Sequence, residues 1–307
     1  MPKDFVSLAD WGAAALWEIL DRARELKQLD RGGKRPLTLQ GRVLAMFFEK
    51  PSLRTHVTFE AGMTQLGGHA LLLRPEQIGI GTREAPADVA RNLSRWVDGL
   101  VARTYSHGLV EELADAASIP VINGLTDLLH PCQVMADFQT VRERVELEDA
   151  SIAYVGDGNN MANSLLNGAA VLGLELRLAT PASHRPAARV FKWAEELAAQ
   201  SGARLSWTED PREAVRAADF VYTDVWTSMG QEDEQEARRK LFAAYQVNSA
   251  LLELAPDAWI MHCLPAHRGE EVTDAVLDGE RSIVFDQAEN RLHAQKAILE
   301  RLLVHQD

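Results

Sequence analysis

Short runs of apolar, mostly β-branched residues alternate along the chain with segments whose apolar residues recur every three to four positions. The first pattern is typical of buried strands and the second of amphipathic helices. Their regular alternation predicts an α/β fold with parallel sheets covered by helices on both faces. The predicted strands are residues 42–48, 69–73, 99–103, 120–125, 151–156, 175–180, 219–226, 259–264 and 282–287.

A long helix is predicted near the middle of the chain. Val134, Phe138 and Val141 lie on one apolar stripe, and Pro131 suits the first helical turn. The polar stretch after this helix suggests a domain junction near residue 147. We therefore expect two doubly wound parallel-sheet domains joined by interdomain helices. They are residues 1–147 and 148–288, with a helix over about residues 289–307 packing back on the first domain.

Composition narrows the classes of function. The 307 residues include 32 Lys+Arg and 45 Asp+Glu, a net charge of −13, which disfavours nucleic-acid binding because that requires a basic surface. Apolar residues make up 46% of the chain, which fits a globular fold. Cys132 and Cys263 are too few for a disulfide framework, and no leader or membrane-spanning run is visible. We therefore expect a cytoplasmic protein with reduced thiols and no membrane partner.

The segment FEKPSLRTH leads from a predicted strand into a helix, the place where open α/β sheets bind ligands. Ser52 and Thr55 can cap this helix, while Arg54 and the N–H groups at its start form a site suited to phosphate. Arg103, at the end of another predicted strand, would add charge at the same place. The alternative is an ordinary helix cap with surface arginines.

Two further strand ends carry neutral polar groups. His130 and Gln133 share one side of a helix start and could orient a carbonyl group, although His130 could instead simply cap the helix. Residues 156–160, GDGNN, follow a strand and open another helix, but Met161 stands where a dinucleotide fingerprint requires its third glycine. We therefore favour the amides of Asn159 and Asn160 as donors to a carboxylate.

The last candidate motifs combine acidic, imidazole and thiol groups. Asp224 could pair with an ammonium group or cap a helix, and the charged run at 231–240 predicts a solvated loop entering a helix, or a flap. His262, Cys263 and His267 could suggest zinc or a thiol nucleophile. Two histidines and one thiol are too few ligands for a metal centre, and a cysteine hydrolase needs a base whose position the sequence does not show.

The motifs occur together and cover the chain from its first helix to its last. FEKPSLRTH, HPCQ, GDGNNMANS, DVWTSMGQE, HCLPAHRGEEV and FDQAENRLHAQ closely resemble the transcarbamoylase family, in its ornithine-specific branch. The resemblance implies transfer of the carbamoyl group of carbamoyl phosphate to the side-chain amine of L-ornithine, which yields L-citrulline and phosphate. It implies that the first domain binds carbamoyl phosphate and the second binds ornithine. It also implies a homotrimer or a multiple of trimers and no metal or organic cofactor; arginine biosynthesis is favoured over the catabolic direction.

Carried over residue by residue, the resemblance assigns three groups. The residues implied for carbamoyl phosphate are Ser52, Leu53, Arg54, Thr55, Gln77, Arg103, His130, Gln133, Cys263, Leu264 and Arg291. Those implied for ornithine are Asn160, Asp224, Ser228 and Met229. The catalytic set is Arg54, Thr55, Arg103, His130 and Cys263. Gln77 would reach the site of a neighbouring subunit, although its segment could also be an ordinary surface loop.

The phosphate motif departs from the common family form Ser-Thr-Arg-Thr-Arg. Leu53 replaces the first threonine and His56 the last arginine, so a hydroxyl contact and a positive charge are lost while the backbone N–H remains. The affinity for carbamoyl phosphate is the property that this change affects.

Related functions stay open at this point. They are carbamoyl transfer to aspartate, putrescine or an N-acylated ornithine, and a non-catalytic subunit of the same fold. Asp224 with the Ser-Met-Gly that follows favours a free α-amino group, and the full set of reactive residues disfavours the non-catalytic alternative.

Overall fold

The computed structural model describes residues 2–227 and 232–304. The chain divides into two compact units, Met1–Gln139 with Glu289–Asp307, and Thr140–Ala288. Both divisions fall inside helices, so the chain passes from one unit to the other as continuous helix.

The first unit contains a parallel sheet of four strands in the order β2-β1-β3-β4 within the described residues. Its strands are β1 Val43–Phe48, β2 His69–Leu73, β3 Gly99–Arg103 and β4 Val121–Leu125. Its helices are α1 Ala13–Arg31, α2 Leu53–Gln65, α3 Pro75–Ile78, α4 Pro86–Leu93, α5 His107–Ala116 and α6 Pro131–Arg142, the last continuing into the second unit.

The second unit contains a parallel sheet of five strands, in the order β7-β6-β5-β8-β9 over the same described ranges. Its strands are β5 Ser151–Val155, β6 Glu175–Ala179, β7 Arg204–Thr208, β8 Phe220–Thr223 and β9 Trp259–His262. Its helices are α7 Asn160–Leu172, α8 Ala188–Ser201, α9 Pro211–Val215, α10 Gln235–Phe242, α11 Ser249–Leu252, α12 Asp274–Leu277 and α13 Val284–Leu303, which returns the chain to the first unit.

The continuous apolar runs arise because the central strands are covered on both faces. Every residue of β3 and β5 is buried, as a parallel sheet between two helical layers requires. Helix α7 is buried from Met161 to Leu172, so it is covered around its whole circumference rather than on one stripe. The predicted α/β class with two parallel sheets is confirmed.

Two predicted elements need correction. Residues 282–287 were predicted to form a strand, but Ser282 makes an isolated bridge with Ile260 and helix α13 begins at Val284. Strand β7 was not predicted, because it lies at the sheet edge, pairs with β6, and mixes exposed with half-buried residues instead of presenting an apolar run. Over the ranges described, the helices are too short or too polar to cross a bilayer.

Candidate active site

The start of helix α2 forms the first part of the site. Ser52 is its N-cap residue, and its Oγ accepts a hydrogen bond from the Thr55 N–H at 3.2 Å. The Leu53 side chain is 73% exposed, so this apolar residue does not pack into the core. The first N–H groups of a helix have no partner within it, and together with the positive end of the helix dipole they favour an anion.

Two buried arginines converge on the Thr55 hydroxyl. Its Oγ1 accepts from Arg103 Nη1 at 3.3 Å and from Arg291 Nη2 at 2.8 Å. Arg291 Nη1 also donates to Gln133 Oε1 at 2.6 Å, and Gln133 Nε2 donates to Asp137 Oδ1 at 2.8 Å. Helices α2, α6 and α13 and strand β3 thus bring predicted residues from four distant parts of the sequence into one hydrogen-bonded cluster.

His130 lies at the start of α6, 4% exposed, beside this cluster. Burial and then the positive charges of Arg291, Arg103 and Arg54 hold its pKa well below the usual value of 6.5. The imidazole is therefore neutral at neutral pH. A neutral ring still carries one N–H, which it can donate to a developing oxyanion.

Lys50 adds a further cation that the sequence prediction missed. It is buried just before the helix α2 motif, and burial, followed by repulsion from Arg103, lowers the pKa of its ammonium group. Its Nζ lies 4.2 Å from the centroid of the Tyr105 ring. The available signal was its position at the same strand end as Ser52 and Arg54. Such a concentration of positive charge suits a multiply charged anion.

Gln77 is exposed on the short helix α3. Its backbone carbonyl accepts from Arg83 Nη1 at 3.3 Å, and the hydrogen bonds found among the described residues do not link its side chain to Arg54 or Thr55. The expectation that Gln77 serves another subunit stays a prediction.

In the second unit, the Asp224 carboxylate follows strand β8 and is buried between an amide and a thiol. Its Oδ2 accepts from Asn159 Nδ2 at 2.7 Å, and its Oδ1 accepts from Cys263 Sγ at 3.0 Å. A carboxylate offers about four lone-pair positions, so acceptor capacity remains for an incoming ammonium group. Ser228 and Met229, which were also predicted to bind ornithine, lie outside the described residues.

The second glycine of GDGNN, Gly158, allows a close backbone approach. A Cβ at Gly158 would lie 2.3 Å from Arg185 C and Pro186 N, closer than any side chain permits. Asn159 then caps helix α7 by accepting from Met161 N at 2.9 Å, and Asn160 is the first helical residue. The second glycine is thus required by chain packing, a reason independent of dinucleotide binding.

Asp157 and Arg238 form a buried ion pair that the sequence prediction missed. Arg238 Nη2 lies 2.5 Å from Asp157 Oδ2, and its Nε donates to the Trp226 carbonyl at 2.6 Å. Burial raises the pKa of Asp157 to about 7 against the lowering effect of Arg238. The charged run at 231–240 was expected to be solvated, which is wrong for Arg238 because its guanidinium group is buried against Asp157.

The turn after strand β9 is held by the side chain of His262. Its Nδ1 accepts from the Leu264 N–H at 2.8 Å, and its Nε2 lies 3.0 Å from Glu271 Oε1, so Nε2 carries the proton. Leu264 has a φ of 59°, in the left-handed region that a leucine seldom adopts. His262, Asp224 and Cys263 have ligand-type atoms within 4.8 Å of one another, but both ring nitrogens of His262 are already engaged.

Comparison with known proteins covers both units. The profile described as the carbamoyl-P binding domain of aspartate/ornithine carbamoyltransferase matches residues 3–143. The profile of the Asp/Orn binding domain matches residues 148–302. Ornithine carbamoyltransferase of Pyrococcus abyssi is 51% identical over 303 residues, 98% of this chain and 96% of that protein.

A Pyrococcus furiosus protein named as the anabolic enzyme is 51% identical over 299 residues, 97% of this chain and 95% of that protein. The solved structure of ornithine carbamoyltransferase from P. furiosus superposes with a TM-score of 0.97 at 49% identity, covering 100% of this chain and 98% of that one. That of the anabolic enzyme from Campylobacter jejuni gives 0.92 at 36% identity, with 97% and 98% covered.

The chain therefore belongs to the aspartate/ornithine carbamoyltransferase family. Within the family its relatives are the ornithine carbamoyltransferases, which confirms the resemblance of the motifs and makes the chain an enzyme of that class.

Proposed function

We propose that the enzyme transfers the carbamoyl group of carbamoyl phosphate to the side-chain amine of L-ornithine, giving L-citrulline and phosphate. The observation that carries this proposal is the buried cluster of Arg103 and Arg291 on Thr55, beside a neutral His130. Donors held in place before the substrate arrives need no reorganisation in the transition state.

The phosphate end of the substrate binds at the start of helix α2. The N–H of Leu53 and the hydroxyl of Ser52 supply neutral contacts, and Arg54 supplies charge. Lys50, buried in the same region, adds a positive potential that favours the departing phosphate. The leaving group is thus already bound as an anion when the carbon–oxygen bond breaks.

The carbamoyl end binds at the arginine cluster. Attack on the carbamoyl carbon places negative charge on its oxygen, and Thr55, Arg103 and His130 supply donors to that oxygen. Gln133 Oε1 accepts from Arg291, and its second lone pair can accept from the carbamoyl NH₂. The backbone at Cys263 and Leu264 is the remaining contact that the family resemblance assigns to this group.

Ornithine binds through the second unit. The Asp224 carboxylate pairs with the α-ammonium group, and Asn160 at the start of helix α7 donates to the α-carboxylate. The side-chain ammonium must lose a proton before it can attack. Cys263, whose thiol already donates to Asp224, is placed either to pass on that proton or to position the amine. The resemblance adds Ser228 and Met229 to this group.

The decisive experiment is a panel of amine acceptors supplied with carbamoyl phosphate. L-ornithine should give citrulline and equimolar phosphate, whereas putrescine, N-acetylornithine and aspartate should react at least about 100-fold more slowly. Putrescine and N-acetylornithine lack one or both charged α-groups and leave polar atoms of the site unpaired, and aspartate has no side-chain amine to accept the carbamoyl group. An Arg54→Ala protein is the matched background control. Faster reaction with any other acceptor, or no citrulline at all, would refute the assignment.

We propose that the reaction runs in the biosynthetic direction, in the cytoplasm. Relatives named anabolic support the direction, and the free thiols of Cys132 and Cys263 are compatible with a reducing compartment. Expression in an arginine auxotroph that lacks this activity should restore growth without arginine. Growth only on citrulline would contradict the proposal.

We also propose a homotrimer in which Gln77 reaches the phosphate site of an adjacent chain. Gln77 is exposed, and the hydrogen bonds of the described residues do not join its side chain to Arg54 or Thr55 of the same chain. Inactive Gln77→Ala and inactive Arg54→Ala chains, unfolded and reassembled together, should regain activity in mixed trimers. Native mass spectrometry confirms the mixing. Mixed trimers no more active than the parents would show that Gln77 acts within its own chain or not at all.

A further inference from the structure

A tight turn after strand β9 brings three metal-ligand side chains together, outside the residues proposed for the reaction. The Glu270 N–H donates to the His267 carbonyl at 2.9 Å, and the Gly269 N–H donates to the Val272 carbonyl at 2.9 Å. Gly269 has a φ of 84°, which permits the reversal. His267, Glu270 and Glu271 each offer a ligand atom within 4.8 Å of the others; we refer to these three residues as the turn site.

The turn site contains three buried polar atoms without a hydrogen-bond partner in the structure. They are His267 Nδ1, Glu270 Oε2 and Glu271 Oε2. Glu271 is fully buried, at 0% exposure, and its other oxygen is occupied by His262 Nε2 and by the His267 N–H at 2.6 Å. Burying a carboxylate oxygen is unfavourable unless a proton, a donor or a cation compensates it.

The charges of the described residues at the turn site do not balance. The carboxylates of Glu270 and Glu271 face one cation, Arg239. Arg239 pairs with Oε1 of Glu270 and makes no hydrogen bond with Oε2 of that carboxylate. The neighbouring Arg268 pairs with two aspartates rather than with the glutamates. Its Nη1 lies 2.8 Å from Asp274 Oδ1 and 2.6 Å from Asp278 Oδ2. Local charge therefore favours a further positive ligand.

We propose that the turn site binds one divalent transition-metal ion of the zinc class, through one imidazole nitrogen and two carboxylate oxygens. Zn²⁺ accepts such mixed ligands at roughly 2.0–2.2 Å, which separates neighbouring ligand atoms by about 3.4 Å. His267 Nδ1 lies 4.0 Å from Glu270 Oε2. The His267 side chain is 40% exposed, so a small rotation can bring its Nδ1 to the ligand separation of about 3.4 Å. A fourth position then stays open to water.

The proposed ion has a structural role. Glu271 belongs to the turn site and is hydrogen-bonded to Nε2 of His262. His262 Nδ1 in turn accepts a hydrogen bond from the Leu264 N–H. A cation on Glu271 would therefore fix the orientation of the residue that shapes the turn carrying Cys263.

The test is metal binding by the full-length protein with Cys263→Ser, a change that removes the thiol as a competing ligand. After removal of metal with a chelator, equilibrium dialysis against Zn²⁺ should give one ion per chain, with a rise in the unfolding temperature. His267→Gln and Glu270→Gln should each weaken Zn²⁺ binding by at least about 10-fold. Glu271 is not varied because its burial makes misfolding an alternative cause of any loss.

Two control variants distinguish metal coordination from a general effect of surface charge. Arg239→Gln removes the ion pair with Glu270 but keeps the ligand, so it should bind Zn²⁺ at least as tightly as the parent; Glu253→Gln, an exposed glutamate in the same unit, should have no effect. A single buried water could satisfy the same three atoms. Less than about one tenth of an ion per chain, or unchanged affinity in His267→Gln and Glu270→Gln, would overturn the proposal and leave a buried water as the alternative.

Discussion

Asp224→Asn tests the ornithine half of the site with a nearly isosteric change. The substitution removes the negative charge that we assign to the α-ammonium group of ornithine and keeps the shape of the side chain. Most residues assigned to carbamoyl phosphate lie in the first unit, and the second unit contributes only the backbone at Cys263 and Leu264. Binding of carbamoyl phosphate alone should therefore remain within about twofold of the parent, well under the tenfold that 1.4 kcal/mol represents.

The expected magnitude follows from the burial of Asp224. Removing one partner of a buried, hydrogen-bonded charge pair costs about 2–5 kcal/mol, so the KM for ornithine should rise by about 30-fold or more. The protein should also lose about 1–3 kcal/mol of unfolding free energy. Asn159 and Cys263 both donate to Asp224, and an asparagine offers a single acceptor oxygen to two donors. Asn159 cannot simply flip, because its own oxygen caps helix α7.

The assay is steady-state citrulline formation against ornithine at saturating carbamoyl phosphate, with calorimetry of carbamoyl phosphate alone and urea unfolding in parallel. Asp210→Asn is the matched control: Asp210 caps helix α9 in the same unit by accepting from Arg212 N at 2.9 Å, and asparagine caps equally well. Equal loss for both substrates would show that Asp224 serves folding. A change of less than about threefold in the KM for ornithine would refute the ion pair, because that is under 1 kcal/mol.

Three further outcomes are expected. Arg54→Ala should lower kcat by at least about 100-fold with little change in unfolding temperature, and near-native turnover would disprove the phosphate assignment. Because the pKa of buried His130 lies below its unfolded value near 6.5, the unfolded state binds more protons below that pH. Urea unfolding should therefore show wild-type stability falling by up to about 1.4 kcal/mol per pH unit on acidification, with a smaller fall in His130→Gln; equal slopes would contradict the burial argument. Gly158→Ala should lower the unfolding temperature through backbone overlap, whereas Gly12→Ala, with open space around its Cβ, should not; equal melting would count against the close approach.

The sequence pattern was sufficient to predict contacts made within one short segment of the chain. Ser52 was predicted to cap helix α2 and does so, because an N-cap contact spans three residues of one chain segment. The mainly apolar runs of β1, β3 and β5 were also predicted correctly, since strands covered on both faces consist mostly of apolar residues.

Pattern was insufficient where neighbours decide the structure. Residues 282–287 have the composition of a strand, yet after one bridge to Ile260 the chain turns into helix α13, because a short apolar run fits either element. Strand β7 has no apolar run, and its pairing with β6 defines it. Arg238 lies in a charged run that predicts solvation, but its partner Asp157 is buried 81 residues earlier in the chain.

The sequence alone therefore determined the class of fold and the family and predicted candidate site residues, since these depend on periodicity and on motifs within short segments. The tertiary structure decided what those groups can do. It placed Arg291 on Thr55 and Gln133, lowered the pKa of His130 by burial among arginines, set Cys263 against Asp224, and left three buried atoms of the turn site without partners. Hydrogen bonding and charge act over a few ångströms, and only the folded chain determines which distant residues come that close.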